Sequence, residues 1–167
     1  MTLPIPKTKD VLLVQLKENR AWTKTDGTGA IPSFMEEELS SYSSFKCIFG
    51  IALHVPCWIF RKLCMALGLW HLVVPLAKLR INNPAWGFDS ISCHRNVVFN
   101  DLGLAFYKTG NIEAAISCLE QAVLVCPCPH NTSFGLDMRL CNALTGNEKA
   151  IEAVKEYQYF AKEFIRA

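Results

Sequence analysis

Charge is scarce in this chain of 167 residues: Asp, Glu, Lys and Arg together make up 19% of it and leave a formal net charge of +2. So small an excess gives no argument for nucleic acid or for an anionic membrane surface. Long apolar runs are lacking too. The most hydrophobic part, 47–79, is interrupted by Arg61 and Lys62 and carries Pro56 and Pro75. Its uncharged stretches hold fourteen and fifteen residues, whereas a bilayer span needs about 20. No nucleophile with a nearby base, no glycine-rich phosphate loop and no paired-carboxylate motif occurs, so an enzyme is not expected. The opening MTLPIPKTKD has no apolar core behind its charges and is not expected to be a secretory signal.

Apolar residues are abundant. They form 51% of the chain, which excludes a disordered polypeptide and, at this length, suffices for one sizeable core. Eight cysteines are present, several inside helical apolar patterns, and they read as reduced, buried small hydrophobes in a cytoplasmic protein. Cys126, Cys128 and His130 come nearest to a metal set. Their Cys-x-Cys-x-His spacing is not one that zinc sites use, and a fourth ligand would have to come from afar, such as Cys93 or His94. A stiff loop is expected there instead, with no metal and no cofactor.

Along the chain, 1–45 looks weakly organised. Asp10 could cap a short helix, although the apolar run that follows would also suit a strand. Ser33 and Glu36 form a capping box for a second helix. Residues 46–84 predict an apolar helical hairpin about Gly68, with Pro56 starting one helix and both helices buried. Residues 85–96 predict an irregular connection, and 97–167 a regular helical pattern. Thr-Gly-Asn occurs there twice, at 109–111 and 145–147. Each copy separates two helical stretches, with Gly as a left-handed stop and Asn as the cap of the next helix. The third of these four helices is expected to start near Thr132 or Ser133.

A period of 36 residues with two helices per unit indicates a helical repeat. The stretch 99–127 resembles the tetratricopeptide repeat: Phe99, Gly103, Ala115, Leu119, Ala122 and Pro127 stand at the family's intervals, with small residues where paired helices must approach. Residues 97–127 form the well-made unit and 132–165 a degenerate cap, and 46–84 would supply a further repeat. The resemblance implies an all-α, short helix-turn-helix solenoid with an apolar helical region before it. It also implies a non-catalytic adaptor whose groove binds a peptide or helix of another protein. Val97, Asn100, Leu104, Tyr107 and Lys108 would line that groove, Asn100 holding a peptide backbone through its amide. The alternative is a membrane-associated assembly factor, with 47–79 in or on a bilayer and the repeats recruiting a partner.

Overall fold

The computed structural model describes residues 8–23, 45–82, 92–125 and 135–166. Among them are seven α-helices and no strand: α1 (Lys9–Thr23), α2 (Phe45–Ala66), α3 (Trp70–Asn82), α4 (Ser92–Lys108), α5 (Ile112–Ala122), α6 (Arg139–Leu144) and α7 (Ile151–Arg166), the last entered through a 3-10 turn. The chain is all-α, as its periodicity predicts.

Segment α1 resolves the choice between helix and strand. Leu12 and Leu16, one turn apart, are both fully buried, the spacing of one helical face rather than of a pleated strand. Thr8 Oγ1 accepts from the Val11 amide, and Asp10 lies in the first turn. Within 1–45, Lys9–Thr23 is thus a fifteen-residue helix packed on α7. The capping box at Ser33 and Glu36 lies outside the described residues.

Two expectations for the hairpin need correction. Helix α2 runs through Pro56, and α3 contains Pro75. Proline removes one amide donor, which weakens a helix locally without having to end it. Nor is the hairpin wholly buried. Arg61, Cys64, Val73, Ala77 and Arg80 face inward, whereas Phe60 and Leu63 of α2 and Leu67 just after it are about half exposed or more. The turn itself is as expected. Gly68 has φ +71, with Leu69 N donating to Cys64 O at 2.8 Å and Gly68 N to Met65 O at 3.1 Å, the paired bonds of a left-handed helix stop.

The two Thr-Gly-Asn segments take the same structural part. Gly110 has φ +85 and Gly146 φ +90. Asn111 Oδ1 accepts from Ala114 N at 3.1 Å to open α5, and Asn147 Oδ1 from Lys149 N at 3.0 Å to open the turn before α7. Boundaries differ elsewhere. Helix α4 begins at Ser92, inside the expected connection, and α6 begins only at Arg139 because 135–138 is not helical. Helix α4 packs on α3, α5 and α6, and α7 closes over α5 and α6.

Gly103 sits where α4 crosses its neighbours. A Cβ there would lie 2.9 Å from Cys118 Cβ of α5 and 2.2 Å from Leu140 Cδ2 of α6. Leu140 is fully buried and cannot swing clear. Gly103→Leu should therefore lose about 1–3 kcal/mol through overpacking. A denaturant melt checks this, and a variant as stable as the native protein would exclude the close crossing.

Candidate functional site

Val97, Asn100, Leu104, Tyr107 and Lys108 recur at helical spacing and lie along one side of α4. They do not line one open groove. Asn100 is fully buried and Leu104 nearly so, Val97 and Tyr107 are half-buried, and Lys108 is exposed. The start of α6 occupies the middle of this face. Asn100 does hold a peptide backbone through its amide, but it is the chain's own: Oδ1 accepts from Leu140 N at 3.1 Å. That amide is one of the four donors which a helix N-terminus leaves unmatched. The groove expected from sequence is thereby reduced to its end, where Lys108 Nζ stands 5.8 Å from the centre of the Tyr107 ring.

Asn100 belongs to a polar cluster. Its Nδ2 donates to Asn96 O at 3.0 Å and to the Tyr157 hydroxyl at 3.3 Å. Asn96 Nδ2 donates to Ala122 O at 2.7 Å and to Tyr157 Oη at 2.8 Å, while Asn96 Oδ1 accepts from Asp137 N at 2.8 Å. Tyr157 in turn donates to Asp137 O at 2.8 Å. Two amides and one phenol from α4 and α7 so clamp the non-helical strand of chain that leads into α6. Burial pushes the Tyr157 phenol from its ordinary 10.0 up to about 12, against the bonds from Asn96 and Asn100.

Beside it lies a charged cluster. Asp101, with no exposed surface, accepts from Arg61 Nε at 2.8 Å, from Lys62 Nζ at 2.9 Å and from Arg139 Nη2 at 2.8 Å. Arg139 also grips Asp137 through Nε and Nη2. Burial lowers the Lys62 pKa despite Asp101, and Arg61 and Arg139 add to that lowering. For Arg139 burial also acts downward, but the two carboxylates outweigh it and hold its pKa up. These are groups matched to one another, and they bridge α2, α4 and α6.

Cys126, Cys128 and His130 lie outside the described residues, as do the side chains of Cys93 and His94. Among the described residues no cluster of three His, Cys, Asp or Glu could hold a metal ion. Cys57, Cys64, Cys118 and Cys141 are free thiols, all but Cys57 buried. Burial raises the pKa of Cys141, and that of Cys118 to about 11, which disfavours the reactive thiolate. Sequence reasoning missed Asn96, Asp101 and Tyr157. The available signal was an adjacent amide and carboxylate, Asn100 and Asp101, within the otherwise apolar stretch 97–106.

Asp101→Asn should cost about 3–5 kcal/mol, because Arg61, only 2% exposed, would keep its charge without a counter-ion. Adding Arg61→Met should restore part of the loss in a chemical melt. Failure of the double variant to recover any stability would remove Arg61 as the reason. Tyr157 makes native stability sensitive to alkali. Between pH 10.0 and about 12 only the unfolded chain releases this proton, so stability falls as pH rises through that window. Tyr157→Phe should be less stable at neutral pH by about 1–3 kcal/mol. It should also lack this part of the alkaline slope, which paired melts would measure.

Comparison with protein-family models, with curated proteins and with solved structures gives no match.

Proposed function

We propose that the protein is a non-catalytic adaptor, a short tetratricopeptide-like stack that binds a peptide or helix of another protein. The observation that carries this reading is the doubled helical unit. Helices α4 and α5, then α6 and α7, are joined by the same Gly-Asn turn, and Gly103 lets the two units touch closely. In such stacks the first helix of each unit faces the partner. Here the accessible part of that face is its end, Tyr107 and Lys108. Raised thiol pKa values at Cys118 and Cys141 and the use of Asn96, Asn100, Asp101 and Tyr157 as internal ties support a structural rather than a catalytic chemistry. Free cysteines suit the reducing cytoplasm.

Asn100 is unsuited to a binding test, since its removal would orphan the Leu140 amide. Tyr107→Ala with Lys108→Ala is the informative pair. A tyrosine ring buried by a partner carries on the order of 2 kcal/mol, and a cation at the rim beside it less. The double variant should keep a cooperative helical melt yet lose the partner that the native chain captures. Equal capture by both would exclude this end of α4 as the binding surface.

A further inference from the structure

The outer face of the α2–α3 hairpin is apolar and, among the described residues, exposed. Ile59, Phe60, Leu63 and Leu67 are 53, 51, 49 and 63% exposed, and Leu69 and Leu72 beyond the turn are 36 and 37% exposed. At 3.6 residues per turn Ile59, Phe60 and Leu63 of α2, and Leu67 just past its end, share one stripe opposite buried Arg61. A contiguous surface of this kind marks a docking site.

Charge decides what docks. The whole-chain value of +2 conceals a segregation: between Glu38 and Asp89 there is no acidic residue, while Lys46, Arg61, Lys62, Lys78 and Arg80 all fall in that span. Asp101, which reaches the hairpin from α4, is fully buried and met by three cations. The apolar tip is flanked by a cation on each leg, with no charge anywhere in 63–77. At about 1.5 Å per residue, Lys62 lies about 9 Å behind Gly68 along α2, and Lys78 about 12 Å behind Trp70 along α3. Interfacial segments bury their apolar side about 5–10 Å into the headgroup and acyl boundary. A tip seated to that depth brings Lys62, held by Asp101 at 2.9 Å but with its side chain 30% exposed, to the level of the lipid phosphates, and exposed Lys78 just above it. Among the described residues no helix is long and apolar enough to cross a membrane, so the contact is peripheral.

We infer that the α2–α3 hairpin docks tip-first on an anionic lipid bilayer. An apolar helix of a partner, or a second copy of the chain, would be served equally by a rim of mixed charge. Among the described residues the accessible charges beside the tip, Lys62 and Lys78, are of one sign, which fits a planar anionic surface. The docking stands apart from the α4 end and from the adaptor reading.

The full chain is mixed with vesicles of phosphatidylcholine alone, or with added phosphatidylserine, and floated on a density gradient. The native protein should rise with the phosphatidylserine vesicles and much less with the neutral ones. Leu67→Asp and Lys78→Glu alter exposed side chains, so each should keep the native melt while losing binding by about tenfold. No flotation on either vesicle would overturn the proposal. So would flotation that Leu67→Asp and Lys78→Glu leave intact. A native dimer in sedimentation that Leu67→Asp dissociates, without vesicle binding, would assign the face to a second copy instead.

Discussion

Asp101 is one carboxylate without solvent, and three helices depend on it. Its oxygens are shared by Arg61 and Lys62 of α2 and by Arg139 of α6, so a charge on α4 fixes where both neighbours stand. Burying a carboxylate is expensive unless its lone pairs are all answered, and here they are. The same economy governs the adjacent amides. Asn96 and Asn100 leave none of their side-chain amide groups idle, joining α4 to Ala122 O, Asp137 N, Leu140 N and the Tyr157 hydroxyl. Hydrophobic contact brings the helices together without specifying rotation or register. Directional groups of this kind supply both.

The polar core also accounts for the odd proportions of the second helical pair. Helix α6 has six residues and is capped locally only by Asp137 Oδ1, which accepts from Arg139 N, its N-cap Met138 making no side-chain bond; it is too short to persist by itself in water. It exists because its entry is held from outside: Asp137 at both its amide and its carbonyl, Leu140 at its amide. Beyond the Asp137 cap, local sequence contributes little to α6, and tertiary partners contribute most.

That division explains what could be read in advance. The Gly-Asn turns, the small residues at Gly103, Ala115 and Ala122 and the reversal at Gly68 are local signals, because each answers to a φ angle or to a volume. Asn100 was legible as an important amide on α4 but not as a buried one. An amide reads identically whether it faces a foreign peptide or the chain's own backbone, and its partner Leu140 lies 40 residues on. Arg61 was legible only as a charge that interrupts an apolar run, since Asp101 is also 40 positions away. Pro56 misled for a different reason: the rule that proline stops helices concerns an isolated segment, and α2 packs against α3.

The glycines of this protein are of two opposite kinds. At Gly103 space is the constraint: the backbone is ordinary helix and any side chain collides. At Gly110 and Gly146 space is free, with nothing within 4 Å of a Cβ, and only the sign of φ forbids an L-residue. For those two turns the requirement is chirality alone. A D-alanine placed there by chemical synthesis would sit at its own preferred φ without steric conflict, and would restrict the unfolded chain more than glycine does. The turn that the sequence writes twice is thus a mirror-image position, filled by the one genetically encoded residue that has no handedness.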